Sequence, residues 1–335
     1  LHLGYRAQVT WKEKTLTSLL RSRAGFRGPI HPLAAMERPE GYRNKLSVKA
    51  AGGRFVFVPE VDESPVSPPD CFVQTPALQN AWGLLRTRKV PPGVDQIHLR
   101  SNAAGQVGAH AFVKEGATSL ASLRDLLEPL PGLVGIGVTS RLGYRVVSGE
   151  PRLAQTLGAT TWLIPHNGFF QTNETMAGRL LDVVREAARV SPGDRVLDLY
   201  CGAGFFGLAL ASAHEVVGIE ENGESVAAAQ ASAQRSGVEN ARFVAGDLGP
   251  TLAALPRAPR EIAVVDPPRE GLLPKALEAL GTRGPRRIVY VSCYPQSLVR
   301  DLKALTAAGY RGVECSSVDM FPHTSHVEVV VTLER

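Results

Sequence analysis

The chain has 335 residues, 44% of them apolar and 21% charged, which exceeds the usual single-domain length and predicts two domains or one large core with an appendage. No run approaches the roughly 18 consecutive apolar residues of a membrane span, and the opening lacks the basic, apolar and small-residue zones of a secretion signal. Cys71, Cys201, Cys293 and Cys315 are widely spaced with no C-x-x-C pair, which argues against a zinc or redox motif and fits a reducing, cytoplasmic setting.

The net charge of +5 is unevenly spread: residues 1–165 carry 20 Lys and Arg against 12 Asp and Glu, residues 166–335 carry 17 against 20. A basic module joined to a near-neutral one suits an enzyme that grips phosphates, although ordinary solvated faces would give the same count.

In chain order, a helix is predicted over Tyr5–Arg23. A Gly- and Pro-rich stretch with short β-like runs at 55–58, 110–113 and 134–138 follows, with a helix over Pro76–Arg88. From about residue 165 the pattern changes. Helix 175–189, strand 195–199, helix 207–213, strand 215–219, helix 224–236 and strand 241–244 lead to strand 261–265, helix 274–280, strand 287–291, helix 296–308 and a last strand at 327–333. Such alternation predicts an α/β, doubly wound, mainly parallel sheet in the second half, after a smaller α+β module, with the boundary between 1–163 and 164–335. Ligands in these sheets bind beyond the carboxyl ends of the strands.

The first such loop reads Asp198-Leu199-Tyr200-Cys201-Gly202-Ala203-Gly204. Gly202 and Gly204 allow a sharp turn close to a ligand, but the third glycine of a dinucleotide fingerprint is missing. Two acids take its place, Asp198 and the strand-ending Glu220, which could accept both hydroxyls of a ribose. Asp247, after the third strand, is placed for an adenine edge. Singly, each acid could be a cap or a surface charge. Together they resemble the pocket of class I S-adenosylmethionine-dependent methyltransferases.

Asp266-Pro267-Pro268-Arg269 follows another strand, and Arg269 replaces the aromatic residue that usually stacks on an exocyclic amine substrate. Cys293 ends the strand 287–291 region, where a nucleophile or a small buried hydrophobe are both expected. Glu328 interrupts the apolar strand 327–333, where burial would be costly without a purpose. A thiol and a carboxylate base are what methylation at carbon 5 of uracil requires.

The motifs Gly41-Tyr42-Arg43-Asn44-Lys45, Phe169-Phe170-Gln171-Thr172-Asn173, Asp198-Leu199-Tyr200-Cys201-Gly202, Asp266-Pro267-Pro268-Arg269, Val289-Tyr290-Val291-Ser292-Cys293 and Phe321-Pro322-His323-Thr324-Ser325-His326-Val327-Glu328 resemble the RNA 5-methyluridine (uracil-5) methyltransferase family over almost the whole chain. The resemblance implies Cys293 as nucleophile and Glu328 as base. It implies Gln171, Tyr200, Gly202, Gly204, Glu220, Asp247 and Asp266 around S-adenosylmethionine, with Asp198, His326 and Arg269 in support. Tyr294 stands where the family has Asn, and Phe205 where a polar residue is common.

Many relatives hold an iron–sulfur cluster on three cysteines upstream of a segment like His2-Leu3-Gly4-Tyr5-Arg6-Ala7-Gln8, plus a fourth matching Cys71. This chain begins after that point, so Cys71 reads as an orphaned ligand or a core cysteine, and no metal is expected in the chain as given. The small N-terminal β-barrel that many relatives carry is not visible either. The expected partner is structured RNA with a flipped uridine, ribosomal RNA favoured over transfer RNA, bound by a monomer without a membrane. The competing readings are an RNA cytosine-5 methyltransferase, disfavoured by the lack of a Pro-Cys step in the Asp266 loop, and a non-catalytic RNA-binding protein of the same fold.

Overall fold

The computed structural model describes residues 3–58, 64–114 and 119–335; His2 of the opening motif lies outside them. The chain begins α1 (Tyr5–Arg23), β1 (Ile30–Ala34), β2 (Lys45–Ala51), β3 (Arg54–Val56), α2 (Pro76–Leu85), β4 (Val94–Ser101), β5 (Val107–Val113) and α3 (Leu120–Leu127). It continues β6 (Leu133–Ser140), β7 (Gly143–Gly149), β8 (Arg152–Leu157), β9 (Thr160–Pro165), α4 (Glu174–Ala188), β10 (Arg195–Leu199), α5 (Phe205–Ala209), β11 (Glu215–Glu220) and α6 (Gly223–Arg235). The last third is β12 (Ala241–Ala245), α7 (Leu248–Ala254), β13 (Glu261–Val265), α8 (Pro274–Arg283), β14 (Arg287–Ser292), α9 (Pro295–Ala307), β15 (Arg311–Val318) and β16 (Glu328–Glu334).

Two compact units result, one from residues 1–39, 157–162 and 175–335, the other from 40–156 and 163–174. The chain changes unit between residues 39 and 40, 156 and 157, 162 and 163, and 174 and 175.

The larger unit holds an eight-stranded sheet in the order β1-β15-β16-β14-β13-β10-β11-β12. β10 to β14 are parallel, and β16 runs antiparallel between β14 and β15. The strand order reverses at β10, whose neighbours are β11 and β13, so the crevice of a doubly wound sheet lies at its carboxyl end. β13 and β14 are buried on both faces, which is why, after the charged residues Glu261 and Arg287 that open them, they read as apolar runs, Ile262-Ala263-Val264-Val265 and Ile288-Val289-Tyr290-Val291. The predicted βα rhythm and the α/β class are present. The helix expected at 207–213 is instead the single turn α5, because Gly204 caps it in the left-handed region and the chain turns off again after Ala209. Missing from the reading were α7, too short and Gly-Pro-containing to show periodicity, and β15, whose Gly, Glu and Ser residues hide a strand.

The smaller unit is a six-stranded sheet, β3-β2-β4-β5-β6-β7, with only β5 and β6 parallel. Leu78, Trp82 and Leu85 of α2 and Leu123, Leu126 and Leu127 of α3 pack with alternate strand residues such as Leu46, Val48, Ile97, Leu99, Ala109 and Ile136. That alternation marks a sheet with one face on the core. The segment 41–45 is bound through its backbone: Gly41 and Arg43 N–H donate to the Phe72 and Val73 carbonyls at 2.8 and 2.6 Å, and Asn44 N–H to that of Thr172 at 2.9 Å.

Candidate active site

The carboxyl edge of the eight-stranded sheet collects the predicted chemistry. Between β10 and α5 the chain passes through Tyr200, Gly202 and Gly204, all with positive φ, a conformation that costs the non-glycine Tyr200 of order 1–3 kcal/mol and is typical of ligand-holding turns. The turn is stitched by Glu220, which accepts from Gly202 N–H at 3.1 Å through Oε2 and from Asn222 N–H at 2.9 Å through Oε1. Asp198 is fully buried, and its Oδ2 accepts from Gly207 N–H at 2.7 Å. A Cβ at position 207 would stand 2.9 Å from that oxygen, so only glycine lets the acid and the helix approach so closely.

Asp198 Oδ1 is buried with no partner among the described residues. Burial chiefly, and Glu220 beside it, push its carboxyl up to about 7 against the pull of the Gly207 N–H. An orphaned acceptor beneath a glycine turn fits a cationic, donor-bearing nucleoside cofactor. Asp247 caps α7, its Oδ1 accepting from Gly249 N–H at 3.1 Å. Gln171 belongs to the smaller unit, in a loop held there by Asn44 Nδ2, which donates to the Gln171 carbonyl at 3.3 Å, and by Arg100, which donates to the Phe170 carbonyl at 3.3 Å.

Asp266 follows β13 directly, and its N–H donates to the Leu199 carbonyl at 3.2 Å, tying the Asp-Pro-Pro-Arg loop to β10. Beyond it, buried Asp301 of α9 accepts from Leu272 N–H at 2.7 Å and from the Tyr290 hydroxyl at 2.6 Å, which fixes the far side of the loop. On the next two strands Ser292 pairs with Val329, in antiparallel register. Cys293 and Glu328 are the next residues outward from that pair, so the nucleophile and the base candidates, 35 positions apart in sequence, emerge side by side from adjacent strands.

The electrostatics agree with this closeness. The half-buried thiol of Cys293 is pushed up to about 11 by burial first, then by Glu328 and Asp266, against the opposing pull of Arg269. Glu328 is buried and raised well above the usual carboxylate range, by burial and then by Asp266. Asp266 is likewise raised, by burial and then by Asp198.

At the opposite edge of the sheet the acids are neutralised. Asp194 pairs with Arg260 and Arg286 at 2.9 and 2.7 Å, Glu261 with Arg283 at 2.5 Å, and Glu215 with Arg195 at 2.6 Å. Among the described residues, Asp198, Asp266 and Glu328 have no such cation within 4.0 Å. Paired acids are neutralised and held in place; acids left without a cation at a crevice mark a candidate site.

His326, half-buried, stacks edge-on to Phe321 at 6.0 Å between ring centres, and its N–H donates to Thr324 Oγ1 at 3.2 Å. Cys201 and Cys315 are both buried, Cys315 within the hydrophobic core of the larger unit. Cys71 belongs to the smaller unit, and no group of three His, Cys, Asp or Glu among the described residues is arranged to hold a metal. No helix among them is long and apolar enough to cross a membrane. Residues that the sequence reading missed are Asp301, and Tyr5, Gln8 and Lys12 of α1 with Asp319. Their partners lie too far away in sequence for spacing to reveal them.

Comparison with known proteins agrees with this geometry. Residues 190–257 match a family described as a methyltransferase domain, and 255–335 match tRNA (uracil-5-)-methyltransferase. An RNA methyltransferase of Gloeobacter violaceus is 34% identical across 99% of this chain and 79% of its own length. One from Chlorobaculum tepidum is 29% identical across 100% and 80%. The crystal structure of Pyrococcus abyssi tRNA (uracil-54, C5)-methyltransferase, in complex with S-adenosyl-L-homocysteine, superposes with a TM-score of 0.77 at 26% identity, covering 99% of this chain and 84% of that one. From the sheet order, the glycine turn with its acids and these relationships together, the chain belongs to the S-adenosylmethionine-dependent RNA 5-methyluridine (uracil-5) methyltransferases.

Proposed function

We propose that the enzyme methylates carbon 5 of a uridine in structured RNA through a reversible covalent adduct on Cys293, with Glu328 as the base that ends the reaction. What supports this is the juxtaposition, across paired strands, of a half-buried thiol and a buried carboxylate that no cation among the described residues neutralises.

S-adenosylmethionine supplies an electrophilic methyl group. Gln171, Tyr200, Gly202, Gly204, Glu220, Asp247 and Asp266 would hold it, with Asp198 supporting the turn. The Cys293 thiolate adds to carbon 6 of the uracil, and the electron pair of the C5=C6 bond moves toward carbon 5, which takes the methyl group. Glu328 then accepts the proton on carbon 5, the C–H pair re-forms the double bond, and the C6–S bond breaks with its electrons returning to sulfur. A carboxylate whose proton affinity is raised by burial is a strong base for that step. Arg269 would favour the thiolate, and His326 would help orient the base. The basic module expected within 1–163, chiefly residues 40–156, would face RNA, and the methyltransferase domain expected over 164–335 would include α1 and β1 as well, with a uridine unstacked from a loop of ribosomal RNA favoured over one of transfer RNA. We further propose a monomeric, cytoplasmic enzyme.

The test is trapping on transcripts containing 5-fluorouridine, whose fluorine cannot leave as a proton. A denaturation-resistant complex should map to Cys293 and vanish in Cys293→Ala. Methyl transfer to normal RNA that persists in Cys293→Ala would sink the reading. Mapping 5-methyluridine in RNA from a strain lacking the enzyme decides between ribosomal and transfer RNA.

A further inference from the structure

Helix α1 carries an unusual buried face. Its lower half is apolar, Leu16 and Leu20, but its upper half is Tyr5, Gln8 and Lys12, polar residues spaced to share one side of the helix. All three engage the segment 319–323, more than 300 residues away. Lys12 Nζ donates to Asp319 Oδ1 at 2.7 Å and to the Phe321 carbonyl at 3.0 Å, and the pair is almost fully buried, with side-chain exposures of 1% and 0%. The Tyr5 hydroxyl donates to Asp319 Oδ2 at 2.9 Å and accepts from Met36 N–H at 2.8 Å.

Gln8 completes the clamp. Its Oε1 accepts from His323 N–H at 3.0 Å. His323 Nε2 faces the Pro39 carbonyl at 2.9 Å and so carries the ring proton, which leaves Nδ1 to accept from Gln8 Nε2 at 3.3 Å. These bonds hold His323 at φ 67, a left-handed conformation that a non-glycine residue keeps only when its surroundings enforce it. A buried ion pair adds little to stability over an apolar pair of the same size, whereas it fixes geometry when both partners are fully bonded. What it fixes here is the turn that ends, five residues after His323, at Glu328.

We propose that α1 is a positioning element for the reaction: the Lys12–Asp319 pair, flanked by Tyr5 and Gln8, holds the 319–326 turn so that Glu328 reaches the proton on carbon 5. This rests on the covalent reading above. The step served is the last one, proton transfer to the Glu328 carboxylate with expulsion of the Cys293 thiolate. Addition and methyl transfer use groups on other elements. Loosening the clamp therefore slows release more than methylation.

The experiment is single-turnover methylation by the full chain, using labelled S-adenosylmethionine and unmodified ribosomal and transfer RNA transcripts. It follows both total methyl transferred and methyl label held covalently on the protein. Lys12→Met should transfer methyl in a first burst, accumulate labelled RNA on Cys293, and release it about tenfold more slowly or worse, as small misplacements of a catalytic group do. The KM for S-adenosylmethionine should not change, and Lys12→Arg, which keeps the cation, should recover release. Burst and release falling together, or neither changing, would overturn the proposal. If Lys12→Met does not fold, the double variant Lys12→Met/Asp319→Asn, which leaves no lone buried charge, gives the same readout, and its unfolding too would mark the pair as purely structural and end the proposal. Wild-type enzyme that fails to trap on 5-fluorouridine transcript refutes the covalent reading instead; trapping by wild type without accumulation in Lys12→Met refutes this inference alone.

Discussion

Cys293 has two carboxyl neighbours, Glu328 and Asp266, and one cationic neighbour, Arg269, and in the proposed mechanism their balance sets its thiolate fraction. Burial, then Glu328 and Asp266, push the thiol up to about 11, against the pull of the Arg269 cation and of a backbone hydrogen bond. Below that value the thiolate fraction rises about tenfold per pH unit, so adduct formation with 5-fluorouridine transcript should accelerate steadily between pH 6.5 and 9. Removing the cation in Arg269→Ala raises the thiol further. The profile should move to higher pH and the rate at pH 7.5 should fall about three- to tenfold, the size expected of one partly screened charge. A profile that stays in place while KM for RNA rises would make Arg269 a phosphate contact instead.

At the scale of elements, the proposed cofactor turn depends on one close approach, that of α5 to β10 through Gly207. A methyl group there would meet Asp198 Oδ2 at 2.9 Å and Val216 Cγ1 at 3.1 Å, side chains of the adjacent strands β10 and β11. Gly207→Ala should therefore cost about 1–3 kcal/mol of stability, as overpacking does, and weaken S-adenosylmethionine binding measured by calorimetry. Gly178→Ala in α4 is the control, since a Cβ there meets nothing within 4 Å and replaces glycine in a helix interior. It should gain up to about 1 kcal/mol and leave cofactor affinity as it was. Equal affinity in both variants would show that Asp198 does not depend on α5 for its position.

For the whole molecule, the carboxyl edge imposes a pH signature on stability. Asp198 has its carboxyl raised to about 7 by burial, then by Glu220, and Asp266 is raised by burial, then by Asp198, so the folded state holds protons that the unfolded chain gives up near pH 4. Stability from these groups is fully present below that lower value and is lost as pH rises toward 7. Asp194 and Glu215, held low by their arginines, lose their contribution only at more acid pH and do not mask the trend. The melting temperature of the ligand-free protein should thus fall between pH 5 and 8, less steeply in Asp198→Asn, and S-adenosylmethionine should restore it by binding the folded state alone. A flat or rising curve over that range would contradict burial of the acids.

The sequence by itself determined the local part of this protein. The βα rhythm, the glycine turn with Asp198 and Glu220, and the motifs around Asp266, Cys293 and Glu328 are contiguous patterns, legible because strand, turn and helix each leave a short-range period or breaker. Only the tertiary structure decided what lies across space. That β16 returns antiparallel to set Glu328 beside Cys293, that Asp194 and Glu261 have arginine partners while Asp198 and Asp266 have none among the described residues, and that Lys12 reaches Asp319 are matters of register and packing between residues tens to hundreds of positions apart. An isolated Lys in a helix or Glu in a strand carries no mark of its partner. Burial gives each its meaning, and burial is a property of the folded whole.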